Sequence, residues 1–359
     1  MRNISSIIIN LRRLVITMIT VLIVTSSSLG QERKNYNIYT VAFYNVENLF
    51  DTEDDPLIFD DDRTPLGKDV WTPEKYQDKI KKITRVISEI GVETSKTAPA
   101  IIGLCEVENL QVLVDLVGHP VLEKFNYQIV HYDSPDMRGI DVALLYQKSL
   151  FTPDDSQSRR LMLYDLDDPT KRIFTRDQLV VSGKLNGEAI NIIVNHWPSR
   201  SGGEAKSNYK REKAAYLNKQ IIDSIYQKDP YSKIITMGDF NDDPTNKSFK
   251  KVLKTSNNRK TIAAQEMFNP MENLAKQGKG SLAYRDSWNL FDQILVSESL
   301  LGSRSGLQFY QAGIFNSQYL ITLNGQFRGY PFRSYDYSGY TGGFSDHFPV
   351  FIYLVNSID

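Results

Sequence analysis

Nearly every long apolar run in this chain stops at a small cluster of Asn, Asp, Glu or His. Ile38–Tyr44 is followed by Asn45 and Glu47, Ala100–Cys105 by Glu106, and Ile190–Val194 by Asn195-His196. Ile234–Gly238 leads into Asp239 and Asn241, Asp292 sits among the apolar residues Trp288–Val296, and Asp346-His347 precedes Pro349–Ile352. The runs are short, β-branched and aromatic, as buried strands are. Further strands are expected at Tyr127–Tyr132, Val142–Tyr146, Ile173–Leu185, Lys233–Met237, Phe291–Val296 and Val350–Val355. A fold that gathers these strand ends on one rim would build a pocket of carboxylates, amides and imidazoles.

Helices are fewer. Thr72 as N-cap, Pro73 at the first helical position and Gly91 past the end mark one helix, with Ile80, Ile83, Ile87 and Ile90 on one face. A second is expected from about Asn208 to Gln227, and a shorter third after Pro244. Strands outnumber helices and several follow one another directly. That favours two packed, largely antiparallel sheets flanked by helices over a doubly wound parallel sheet. Two long connections interrupt the pattern: the acidic Asp51–Trp71 and the Arg-, Tyr- and Phe-rich Gln326–Phe344. Connections of that length in compact domains are often functional.

The first thirty residues are different in kind. Arg2, Arg12 and Arg13 lead to an apolar run, Leu14–Val24, and then to Ser26-Ser27-Ser28-Leu29-Gly30. A basic start, a short apolar middle and small residues at the end describe an export signal. Residues 1–30 are therefore expected to send the protein to the periplasm or outside, 31–37 to be a short linker, and 38–359 to be one domain. An uncleaved membrane anchor is the alternative, disfavoured because a span needs about 20 apolar residues. With 41% apolar and 24% charged residues the rest is an ordinary globular chain. Its single cysteine, Cys105, excludes an intramolecular disulfide and a Cys-rich zinc site. The net charge is −1, and losing three arginines with the first segment makes it −4. No bulk basic field holds a polyanion, so a polyanion must be gripped locally or through bound metal.

A rim of carboxylates, amides and imidazoles suits a hard divalent cation such as Mg²⁺, which prefers oxygen ligands. Such an ion neutralises phosphate oxygens while carboxylate and histidine groups move protons, so the chemistry points to metal-assisted phosphoester hydrolysis. Taken singly, each piece has a plainer reading. Gly238-Asp239-Phe240-Asn241 can be a structural Asx turn, Ser345-Asp346-His347 a cap, and His196 a packed loop residue. Cys105 reads as a small core hydrophobe, and His119 and His131 as structural.

Together these residues are identifiable. Phe43-Tyr44-Asn45-Val46-Glu47-Asn48, Gly103-Leu104-Cys105-Glu106-Val107, Asn195-His196-Trp197-Pro198, Met237-Gly238-Asp239-Phe240-Asn241, Phe291-Asp292-Gln293-Ile294-Leu295 and Phe344-Ser345-Asp346-His347-Phe348-Pro349-Val350 resemble the endonuclease/exonuclease/phosphatase superfamily. The resemblance covers about Ile38 to Leu354 and implies a DNase I-like fold, an α+β four-layer α/β/β/α sandwich. It implies that Glu106, with Asn45 and Asp346, binds Mg²⁺ (or Mn²⁺ or Ca²⁺). It also implies that Asp239 positions or deprotonates the attacking water, that Asn241 holds the scissile phosphate or the metal, and that His347, oriented by Asp292, contacts the phosphate. His196 matches the histidine that protonates the leaving oxygen in the DNase I and sphingomyelinase branches. The abasic-site endonuclease branch usually lacks it, which argues against DNA repair. Arg138 is a candidate phosphate ligand. Phe291-Asp292-Gln293 lacks the Cys-Asp-Arg sequence typical of the inositol-polyphosphate phosphatases, which lowers that reading.

The expected function is that of an exported Mg²⁺-dependent nuclease acting on nucleic acid, with Arg and Tyr or Phe of Phe327–Tyr335 touching phosphates and bases. The alternative keeps the catalytic set and changes the substrate to a phospholipid such as sphingomyelin or to a small phosphate ester. A non-catalytic binding module would have lost a catalytic position, and none is missing. Asp51–Asp62 does not match an EF-hand and reads as a solvated loop. Nothing in the sequence indicates an obligate protein partner.

Overall fold

The central strands are apolar almost without a break, so each buries both faces, one against a second sheet and one against helices. A computed structural model describes residues 7–15, 18, 35–302, 306–337 and 339–358. The chain divides into two units, Met1–Tyr36 with Ser357–Asp359, and Asn37–Asn356. In the first, residues 7–15 are helical. The export-signal expectation otherwise falls outside the described residues, as does most of the linker. Among the described residues, no helix is long and apolar enough to cross a membrane.

The larger unit is built from strand β1 (Asn35–Leu49), helix α1 (Pro73–Glu89), β2 (Ile101–Val107), α2 (Leu110–Gly118), β3 (Tyr127–His131), β4 (Asp141–Gln147), β5 (Phe151–Arg159), β6 (Gln178–Leu185) and β7 (Glu188–His196). There follow α3 (Glu204–Lys228), β8 (Ile234–Asp239), β9 (Met267–Phe268), the hairpin β10–β11 (Leu282–Tyr284 and Ser287–Asn289), β12 (Asp292–Ser297), β13 (Gln308–Ile314) and β14 (Val350–Ile358). One six-stranded sheet is ordered β13-β14-β1-β2-β4-β3 and the other β9-β12-β8-β7-β6-β5. Each holds a parallel pair, β1–β2 and β7–β8, beside antiparallel ones.

Three cores give the layer order. Val41, Phe43, Ile101 and Leu144 of the first sheet meet Val181, Ile192, Val194, Ile235, Met237 and Ile294 of the second. The other face of the first sheet (Ala42, Tyr44, Ile102, Leu104) packs on Ile80, Ile83 and Ile87 of α1 and Leu113 of α2. The outer face of the second packs Ile193 and Leu295 on Ala214, Ile221 and Ile222 of α3. This is the expected four-layer α+β sandwich.

Some details differ from expectation. The strand foreseen over Ile173–Leu185 is broken into a two-residue piece, Arg172–Ile173, and β6. Between them the buried Arg176 reaches the Asp136 carboxylate and the Trp197 carbonyl, and the Asp177 N–H bonds Ser134. Side-chain partners there replace the ladder. Helix α3 starts at Glu204, and the helix after Pro244 is a short π-helical turn, Ser248–Leu253. Strands β5 and β13 went unforeseen because both lie at sheet edges, where half-exposed polar residues blur the alternation; β5 even carries Pro153.

Where the parallel pair β7–β8 approaches the rim, Gly238 sits so close to its neighbour that an added Cβ would lie 2.3 Å from the Asn195 carbonyl oxygen. Gly238→Ala is expected to destabilise the protein by about 1–3 kcal/mol. Gly118→Ala, whose methyl would meet nothing within 4 Å, should stay within about 0.5 kcal/mol. Denaturant melts of the two variants check this.

Candidate active site

The strand register alone assembles half the site. Asp239, the last residue of β8, is paired in register with His196 on one side and Asp292 on the other. Two residues upstream of His196 and Asp239, Val194 and Met237 face the inter-sheet core, so both polar side chains point inward at its rim. From the opposite sheet Asn45 follows Phe43 by the same two-residue step and reaches the same place. Its Nδ2 donates to Asp239 Oδ2 at 3.0 Å and to Glu106 Oε1 at 3.2 Å.

Glu106 gets there differently. Regular alternation would turn it away from Cys105, but the β2–β4 register slips between Cys105 and Val107 and Glu106 takes φ +61°. The β1–β2 register slips likewise between Asn45 and Leu49, with Glu47 and Asn48 at +51° and +53°. Bulges of this kind re-aim side chains, and each left-handed residue costs of order 1–3 kcal/mol. The distortion carries the Glu106 carboxylate to the rim and lets the Asn48 N–H donate to its Oε2 at 3.0 Å.

Asp239 Oδ2 is the hub. Besides Asn45, His196 Nε2 lies 3.7 Å from it and His347 Nε2 4.0 Å; His196 Nε2 is also 3.8 Å from Glu106 Oε1. Asp239 Oδ1 accepts the Asn241 N–H at 2.9 Å, so the Asx turn is real and belongs to the site. The Asn241 side chain, at φ +52°, donates to the Trp197 carbonyl at 3.0 Å. His347 Nδ1 is 2.6 Å from Asp292 Oδ2, and Ser345 Oγ ties this segment to the Asn45 carbonyl at 2.7 Å. Asp346 joins at the outer edge, 3.9 Å from His347 Nε2, with its other oxygen on Arg333 at 3.2 Å.

Burial pushes the Asp239 carboxyl up, the nearby His347 opposes this, and Asp292 and Glu106 reinforce it. Burial and the Arg176 and Arg138 charges hold His196 well below the ordinary histidine range, so it is neutral. Burial works against charging His347 too, but the Asp292 carboxylate outweighs it and keeps this imidazole protonated.

Arg138 is near enough for its charge to depress the His196 pKa, and its Nε is on the buried Asp136 at 3.3 Å. Asp141 is occupied by His131, at 3.0 Å, and by the Ser134 N–H. His119 accepts the Val121 N–H as an N-cap. Cys105 is in the core as expected, yet its Sγ lies within 4.8 Å of ligand atoms of His196 and Asp239, and burial raises its thiol pKa. The sequence places Glu47 at a strand end and Arg333 in the Phe327–Tyr335 stretch, but nothing in it announces that the two pair. The buried Glu47 carboxylate accepts the Ser334 N–H at 2.5 Å and Arg333 Nε at 3.4 Å, pinning the Gln326–Phe344 connection beside the site.

The donor set is oxygen-rich and anionic. Among the described residues, the hydrogen bonds into Glu106 and Asp239 come from neutral groups, Asn45 Nδ2 and the Asn48 and Asn241 N–H, and the protonated His347, 4.0 Å from Asp239 Oδ2, offsets only part of their negative charge. Such a set fits a hard divalent cation.

The endonuclease/exonuclease/phosphatase family model matches residues 40–356, and the chain belongs to that family. It is a phosphoesterase of the DNase I-like fold. Among solved structures it is similar to D. rerio TDP2 complexed with a single-strand DNA product (13% identity, 88% of this chain and 98% of that one, TM-score 0.52). It is also similar to a family member from Bacteroides thetaiotaomicron (18%, 90% and 97%, TM-score 0.53) and to a mannosyl-6-phosphatase of the same species (18%, 89% and 100%, TM-score 0.51). No match was found among curated proteins.

With four histidines in the chain, ring titrations are resolvable by NMR. Because the Asp292 anion is what raises the His347 pKa, Asp292→Asn is expected to move that titration to lower pH in the metal-free protein. An unmoved His347 resonance would mean that the pair does not set its charge.

Proposed function

We propose that the protein is an exported, divalent-metal-dependent nuclease. One observation carries the nucleic-acid reading: a run of aromatic rings, exposed at Trp288 and Phe327, is stacked on Phe348, the residue after His347. Trp288, 42% exposed, stacks on Phe348 with centroids 6.0 Å apart and planes at 16°. Tyr330 lies 6.1 Å from Trp288, and Phe327 5.7 Å from Tyr330. The β10–β11 turn places Arg285 and Asp286 at φ +49° and +62°, and the Tyr330 hydroxyl braces it through the Asp286 N–H and carboxylate. Flat aromatic faces near a phosphate-binding site suit unstacked bases. The single-strand DNA product of one structural neighbour is in keeping with this reading; the mannosyl-6-phosphatase marks the competing one.

In the proposed mechanism Glu106, with Asn45 and Asp346, holds the cation. When bound, the cation neutralises phosphate oxygens and acidifies water. Asp239, made more basic by burial, takes the proton of the attacking water. Asn241 and the protonated His347, fixed by Asp292, hold the non-bridging oxygens. As the water oxygen bonds to phosphorus, the P–O bond to the leaving oxygen breaks. His196, neutral, hydrogen-bonds that oxygen through the one proton it keeps, and the oxygen takes up its proton from solvent.

Purified protein should cleave DNA or RNA in Mg²⁺, lose this with chelator, and fall by about 100-fold or more in Glu106→Gln. Head-group release from sphingomyelin, or inorganic phosphate from sugar phosphates, with nucleic acid left intact would replace the nuclease reading by the alternative.

A further inference from the structure

Two half-exposed arginines flank the rim in matching settings. Arg138 and Arg333 have side chains 52% and 50% exposed, and each is held through Nε by a carboxylate only 5–6% exposed, Asp136 and Glu47. Asp136 is locked by Arg176 Nη1 at 2.9 Å, whose Nη2 bonds the Trp197 carbonyl next to His196. Glu47 is locked by the Ser334 N–H, and Ser334 is itself bonded by the buried Lys79. An ordinary surface ion pair has two mobile, hydrated partners and little direction. Here the buried partner grips the inner nitrogen of a half-exposed guanidinium, so that Nη nitrogens remain to meet a phosphate; in Arg333 one of them, Nη2, also rests on the Asp346 carboxylate. Arg138 lies on the His196 side. Arg333 lies on the His347 side, where its Nη2 rests on Asp346 at 3.2 Å.

We infer that Arg333 is a substrate ligand for a phosphate adjoining the scissile one, with Arg138 its counterpart on the other side. The inference rests on the nuclease reading and deepens it: the enzyme recognises a run of phosphodiesters, and a single ester fills only the middle of its site. Arg333 is the sharper case, because the carboxylate that holds it, Glu47, lies 286 residues away.

The test uses an oligonucleotide with one cleavable diester in an otherwise phosphorothioate strand, with and without a neutral methylphosphonate at each flanking position. Wild-type kcat/KM should fall about tenfold when the phosphate read by Arg333 is neutralised. Arg333→Gln should show that loss on the fully charged strand and no further loss on the neutralised one, and Arg333→Lys should fall between. An equal loss for Arg333→Gln on both strands makes the residue structural and overturns the inference. So does a wild-type enzyme that cleaves the strand and ignores the methylphosphonate. Failure of the wild type to cleave any strand would instead remove the nuclease reading, and this inference with it.

Discussion

The buried carboxylate of Asp239 is what the rest of this structure is arranged around. It has an in-register partner on each side, His196 and Asp292, and a hydrogen bond from Asn45 of the opposite sheet. Burying an anion beside two more is unfavourable unless something cationic or strongly polar compensates it. Asn45 and the Asn241 N–H supply part of that, and the protonated His347 a further part. The remaining charge, with that of Glu106, is the reason the site calls for a divalent cation. The local backbone is shaped to the same end. Glu47 and Glu106 adopt left-handed conformations that non-glycine residues avoid, while Asn48 and Asn241 occupy the same region, which asparagine tolerates. A closely packed three-core body sustains the strain at the two glutamates.

Much of this was legible in the chain itself, for a definite reason. Residues at the ends of alternating strands inherit their direction from the apolar residues two positions earlier, so Asn45, His196 and Asp239 follow from Phe43, Val194 and Met237. What alternation cannot reveal is a residue that escapes it. The bulge that swings Glu106 round leaves no mark in composition, and neither does the break between Ile173 and Gln178, where buried polar side chains take over the backbone's partners. Long-range pairs are equally silent. Nothing near Arg333 announces Glu47, and nothing in Leu282–Asn289 says that its Trp288 will stack on Phe348. Asp239-Phe240-Asn241 had two readings that looked exclusive; the turn and the site turn out to be the same object.

The division of labour follows from where each part sits. Strand ends and bulges, locked by packing, carry the charge-bearing centre, while the connections that rim it carry the groups that differ in chemistry. The Gln326–Phe344 connection is unusually well fastened for such a segment. Lys79 of α1 bonds Ser334 and the Phe344 carbonyl from below, and Glu47 takes the Ser334 N–H. Arg333, next to Ser334, is thereby presented in a fixed position.

The central claim is that one pocket, built around Asp239 and Glu106, binds the divalent ion. Anomalous diffraction from crystals grown in Mn²⁺ addresses it most directly. A single strong peak against the Glu106 carboxylate, within reach of Asn45 and absent in Glu106→Gln crystals, is the predicted result. A peak confined to the acidic Asp51–Asp62 connection, or one at the rim that survives the substitution, would contradict the account.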